Sequence, residues 1–242
     1  MPSNGKTSKA AAPEGEPAQL PRRRGPRPGG DSGLLRSKIL DCAEKLFADH
    51  GFHGSSMRDI ATLADVQVAL VGYHFGSKEE LLDAVLVRRA AVCHEERMAF
   101  LAQALERHGK RAIPVRELFD GYAACFLSRS ARRDAGWRNY ATLVANLANT
   151  AQWSSLISKH YDGAARAYLA ELQRSHPDAD PEAVHQAFFF MISVMVAVCS
   201  RPGRIERLSE QRFRSGEVSQ LAVSVSLFAE GGFKHLVARF ER

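Results

Sequence analysis

Between Leu34 and Leu82 the apolar residues recur with helical spacing, and start and stop signals divide the segment into short pieces. Leu35, Ile39, Ala43, Leu46 and Phe47 form one stripe at three- and four-residue steps. His50-Gly51 predicts the end of that helix: a last-turn histidine favourable to the dipole, then a glycine able to take a left-handed cap. A second helix opens at Ser56, with Asp59 three residues on as a variant capping box, and buries Met57, Ile60, Ala61 and Ala64. After a turn at Asp65-Val66 a third helix runs from about Gln67 to Phe75, with Val66, Val71 and Phe75 inward. A fourth opens at the capping box Ser77 to Glu80 and runs to about Arg107.

The remainder keeps the helical period. Helices are predicted at about 114–129, 134–149, 152–174, 181–200 and 217–240. Asp180-Pro181 is an N-cap acid followed by proline at the first helical position, and Pro202-Gly203 closes the same helix. Strand-like alternation and hairpin turns are missing from the sequence, so the expected fold is all-α. Three regions follow: 1–33, 34–80 and 81–242. Residues 1–33 are rich in Pro, Gly, Ala and charge with almost no large apolar side chains, which predicts disorder.

Charge is unevenly placed. The chain is +6 overall, yet residues 37–78 carry four Lys/Arg against five Asp/Glu, a net of −1. Residues 1–36 carry seven against three, a net of +4. The PRRRGPRPGG cluster has two readings, a minor-groove arm or a solubilising tail. Cys42, Cys93, Cys125 and Cys199 lack CxxC spacing, which argues against a zinc site and a disulfide framework and suits a reducing cytoplasm. The N-terminus has no apolar signal-peptide core. The apolar run from Ala187 to Cys199 is short of the roughly 20 residues a bilayer span needs, so a buried helix and no membrane partner are expected.

Two short helices joined by a tight turn, closed by Tyr73-His74-Phe75 and followed by Ser77-Lys78-Glu79-Glu80, form a helix-turn-helix pattern. The segment from Arg36 to Leu82 resembles the N-terminal domain of the TetR family of bacterial transcriptional regulators. The residues that carry the resemblance are Ile39, Ala43, Leu46, Phe47, Gly51, the start Ser56-Met57-Arg58-Asp59-Ile60-Ala61, Ala64, Val66, and Tyr73-His74-Phe75 with the Ser77–Leu81 run. The resemblance implies a three-helix DNA reader joined through the fourth helix to a larger domain that binds a small molecule and dimerises. It also implies that ligand binding tilts the fourth helix and changes the spacing of two recognition helices, which must stand about 34–36 Å apart, one turn of DNA.

By position, the resemblance assigns Arg58 as a base contact, with a fork suited to guanine O6 and N7. It turns Gln67, Val68, Ala69 and Leu70 toward the groove, and makes Ser56, Tyr73, His74 and Lys78 phosphate contacts. Tyr73 and His74 have a second reading, packing between the third and fourth helices. Asp65 stands where the family's turn carries glycine, Gln67 where Ser or Thr is usual, and Gly72 replaces an aromatic at about 1 kcal/mol against alanine in a helix.

In the larger region, the 181–200 helix is apolar nearly all round, with Phe188, Phe189, Phe190, Met191, Ile192, Val194, Met195, Val196 and Val198. The last helix offers Val218, Leu221, Val225, Phe228, Leu236 and Phe240, with Gly231-Gly232 for close approach. A homodimer through the 181–200 and 217–240 helices is expected, with an intramolecular core as the alternative. Phe126, Trp137, Tyr140, Asn146, Trp153, Phe190 and Met195 are the candidate lining of an effector pocket. Trp137-Arg138-Asn139-Tyr140, Trp153 and the Gly203–Ser209 run resemble a branch that includes regulators of fatty-acid metabolism, which implies a fatty acyl ligand.

No catalytic triad, phosphate-cradling loop, metal spacing or paired carboxylate is legible, so neither an enzyme nor a cofactor or metal is expected. The reading is a ligand-responsive, sequence-specific regulator, a repressor released from a palindromic operator by a small apolar effector. Its rivals are a helical hydrolase and an architectural DNA binder driven by the basic tail.

Overall fold

The computed structural model describes residues 30–131, 134–200, 203–213 and 218–240. The basic cluster ahead of Gly30 lies outside them, as do the side chains of Val218 and Phe240. Among the described residues all regular structure is helical: α1 (Gly30–His50), α2 (Met57–Leu63), α3 (Val68–Phe75), α4 (Lys78–His108), α5 (Val115–Ala131), α6 (Ala135–Ala148), α7 (Ser154–Ser175), α8 (Pro181–Ser200), α9 (Arg204–Leu208) and α10 (Val218–Phe240). A 3-10 turn, Ala151–Trp153, leads into α7. Helix α1 begins inside the segment expected to be unstructured, and α9 has no sequence-based counterpart.

Local chemistry sets the helix ends. Gly51 closes α1 at φ +72°, and its N–H donates to the Phe47 carbonyl at 3.0 Å. The Ser56 hydroxyl accepts from the Asp59 N–H, and the Ser56 N–H donates to the Asp59 carboxylate. Ser77 and Glu80 repeat the arrangement at the start of α4. Helix α2 ends in a Schellman motif, with Val66 N–H on the Ala61 carbonyl and Asp65 N–H on that of Thr62. Asp65 therefore sits at φ 53°, a left-handed conformation that Asp tolerates better than most side chains. The Asp180 carboxylate accepts from the Ala183 N–H and caps α8.

One core joins the two regions. Ile39, Phe47, Ile60, Val71 and Leu82 fill the three-helix head, and α1 also packs along α6 of the body. Glu44 of α1, 1% exposed, takes a fork from Arg89 at 2.7 and 2.9 Å and a further bond from Arg88 at 2.9 Å. Removing one partner from a buried pair of this kind costs roughly 3–5 kcal/mol, so α1 and α4 are held in one register. Asp83 ties α4 to α7 through Lys159 and His160, at 2.7 and 2.6 Å. In the body, Phe119, Tyr122, Phe188 and Phe233 interlock α5, α8 and α10 edge to face.

Cys93 of α4 and Cys125 of α5 are joined as a disulfide, Cα atoms 5.5 Å apart, which corrects the reading of unpaired, scattered thiols. Sequence spacing hid the pair because only helix packing brings the two together.

The outer face of α8 and α10 is apolar and open. Phe189, Phe190, Val223, Leu227 and Phe228 are exposed, with Phe228 at 68%. By length and composition alone, α8 and Leu221–Ala238 of α10 could each cross a bilayer. In the structure both also supply the bundle core, through Ala187, Phe188, Met191, Ala229 and Phe233. Val225, expected on the outer stripe, turns inward with Ala229, Phe233 and Val237 at four-residue steps.

Candidate nucleic-acid interface and its linked cavity

Helix α3 is anchored by Val71 and Phe75 and leaves the opposite side in solvent. Gln67, Val68 and Ala69 are exposed at its N-terminus and Leu70 is half-buried. The Gln67 side chain makes no capping bond at the start of α3. Arg58, exposed on α2, forms no ion pair among the described residues. Tyr73 is 82% exposed, with the His74 ring 5.3 Å away. That exposure goes against the reading of Tyr73 as packing. The Gly72 Cβ position meets open space, so no protein contact requires a glycine there.

Two of the expected phosphate contacts also make hydrogen bonds within the head. The Lys78 ammonium donates to the carbonyls of Phe52 (2.9 Å) and Ser55 (2.8 Å) and lies 4.1 Å from the Phe52 ring centre. It clamps the α1–α2 loop to the start of α4, with two of its three donors used. The Ser56 hydroxyl donates to Asp59 at 2.6 Å while accepting from the Asp59 N–H. These hydrogen bonds, from the Ser56 hydroxyl first, hold the Asp59 carboxyl below its ordinary range; the Ser77 N–H and hydroxyl do the same for Glu80. Sequence reasoning missed Arg36. Its guanidinium lies 4.8 Å from the Phe75 ring centre, at the end of α3 that carries Tyr73 and His74. The available signal was its place one turn ahead of Ile39 on the core stripe.

The seven candidate effector residues do not share one pocket. Phe126 and Met195 line a partly open cavity of about 100 Å³ whose walls come from α4 to α8. Tyr140 lies behind it, stacked on Phe126 with ring centres 5.9 Å apart. Asn146 and Trp153 border a cleft of about 210 Å³ between the α1–α2 loop and α6. There Phe52 meets Trp153 at 4.7 Å and His53 pairs with Gln152 at 3.1 Å. Phe190 lines a groove of about 350 Å³ between α8 and α10. Trp137 stands between the guanidinium groups of Arg89 and Arg129, at 4.8 and 4.5 Å, and serves as packing.

A polar chain leaves the central cavity toward α4. Tyr161 lines the cavity and shares a hydrogen bond with Tyr140, whose hydroxyl also bonds the Leu86 carbonyl at 3.1 Å. Burial pushes both phenols up, so they remain neutral hydrogen-bonding groups. Leu86 lies just ahead of Arg88 and Arg89, which hold Glu44 of the head.

An exposed recognition helix in a three-helix head, joined by one long helix to a bundle with a cavity between its helices, defines a two-part, all-helical DNA-binding regulator. Comparison narrows the class. The profile for "Bacterial regulatory proteins, tetR family" matches residues 39–85, and that for "Tetracyclin repressor-like, C-terminal domain" matches 120–232. The chain belongs to the TetR family. It is 40% identical over 93 residues to the HTH-type transcriptional repressor Rv3405c of Mycobacterium tuberculosis, covering 36% of this chain and 48% of that one. The match thus spans about half the length of that relative. Two solved structures share the fold. The hemolysin II transcriptional regulator HlyIIR has a TM-score of 0.54 at 19% identity, covering 80% of this chain and 97% of that one. The fatty acid degradation regulator FadR of Bacillus halodurans has a TM-score of 0.52 at 17% identity, covering 81% and 98%.

Proposed function

We propose that this chain is a ligand-responsive, sequence-specific transcriptional repressor. It works as a homodimer through α8 and α10 in the cytoplasm and leaves a palindromic operator when a small molecule enters the central cavity. The observation that carries the reading is the geometry of α4: its first residue clamps the DNA-reading head, and its middle forms the cavity wall.

Arg58 and Gln67 read base edges, the first suited to guanine and the second to adenine, while Val68, Ala69 and Leu70 meet thymine methyl groups. Tyr73, His74 and Arg36 contact phosphates. The head is close to electroneutral, so two copies are needed for useful affinity. The open apolar face of α8 and α10 supplies the pairing, and Gly232 in its groove lets a second helix approach closely.

Selection from random duplex DNA with the purified full chain tests this. The expected product is an inverted repeat with half-sites one helical turn apart, bound by two copies. Binding with steep salt dependence and no preferred sequence would favour an architectural role instead.

A further inference from the structure

We propose that the central cavity recognises a carboxylate, and that Arg97 is the residue that reads it. The proposal rests on the reading above that the cavity is the effector site, and it names the chemistry of the effector.

Arg97 lies midway along α4 and is 2% exposed. Its Nε donates to the Tyr122 carbonyl at 2.8 Å, and its guanidinium lies 3.8 Å from the Tyr122 ring centre and 5.4 Å from that of Phe126. No carboxylate stands within ion-pair distance of it, and its two Nη groups make no hydrogen bond among the described residues. A buried arginine normally has an acid beside it, because an unpaired buried charge costs several kcal/mol. Here the side chain lines the cavity. With Nε occupied, the remaining pair of Nη groups is the edge of the fork that grips a carboxylate with two parallel bonds. The Tyr122 hydroxyl, also without a hydrogen-bond partner among the described residues, lies on the same wall and offers a further donor.

The other walls select the rest of the molecule. Phe126, Val144, Ile157, Ile192, Met195 and Val196 are apolar. Asp162 is the one acid on the lining, and it is engaged by Ser158 at 2.5 Å and Arg166 at 3.1 Å. Its charge disfavours a second negative group, so a monoanion fits better than a dianion. A volume of about 100 Å³ suits a short-chain or single-ring carboxylic acid rather than a long acyl chain.

The test uses the full chain with benzoate and hexanoate as probes and benzamide and hexanol as their neutral counterparts, read by calorimetry and thermal shift. At least one acid should bind at least tenfold tighter than its neutral counterpart. Arg97→Gln should remove that preference, and Arg97→Lys, which keeps the charge without the fork, should retain part of it. Equal binding of acids and neutral analogues, or no binding of either acid at millimolar concentration, overturns the proposal. So does an unchanged preference in Arg97→Gln. If Arg97→Gln does not fold, Arg97→Lys and an Ile192→Trp variant that fills the apolar end decide: both must weaken the acid. Operator binding is measured separately. Acid binding without sequence-specific DNA binding would leave the site standing and remove the regulator reading; the reverse would remove the site alone.

Discussion

The outer face of α3 and the outer face of α8 and α10 both leave apolar side chains in water, but in different company. On α3, Val68 and Ala69 stand among Gln67, Arg58, Tyr73 and His74, groups that can donate or accept hydrogen bonds. On α8 and α10, Phe189, Phe190, Val223, Leu227 and Phe228 form a patch with little polar content. An edge of DNA offers both methyl groups and hydrogen-bonding atoms, so a mixed surface matches it. A purely apolar patch is satisfied best by another of its own kind. The first surface should therefore tolerate change gradually, residue by residue, and the second should fail as a unit.

Breaking the apolar face should have the largest effect. Phe190→Asp with Phe228→Glu is expected to yield monomers by light scattering and to weaken operator binding at least 100-fold, leaving the helical circular dichroism intact. Dimers that persist would refute the contrast. A smaller effect should separate Arg58 from Lys78. Arg58→Ala should cost about 1–3 kcal/mol at one base pair per half-site, visible as relaxed specificity in competition assays. Lys78→Ala should instead lower thermal stability, by about 2 kcal/mol for the two carbonyls that lose a charged donor, with little change in the salt slope of DNA binding. The smallest effect concerns the caps of the head. The folded carboxyls of Asp59 and Glu80 titrate below their unfolded values, so their contribution is complete above the ordinary carboxylate range and is lost as pH falls from that range through the lower folded values. Melting curves across that window should show the loss, and Asp59→Asn should blunt it.

The head was legible in the sequence because its signals are local. Ser56 reaches Asp59, Ser77 reaches Glu80, and Gly51 closes its own helix, each across four residues or fewer. What remained hidden depends on contacts distant along the chain. Lys78 folds back 26 residues to Phe52, a use that a basic residue at a helix start does not announce. Cys93 and Cys125 meet across a separation of 32. The aromatic, Met and amide residues expected to share one pocket were chosen by type, and helix packing divided them among two cavities, a groove and the core. Arg97 escaped notice because nothing in its neighbourhood on α4 shows that its nearest acids face elsewhere.

Helix α4 is 31 residues long, and its two working points are well separated. At 1.5 Å per residue, Lys78 and Arg97 are about 28 Å apart along the axis. A pivot at Arg97 that turns the helix by about 5° would move the head by about 2.5 Å. In a two-fold pair the displacements add, to about 5 Å against a recognition-helix spacing of about 34–36 Å. A rotation of a few degrees would thus suffice to put one half-site out of register with the other.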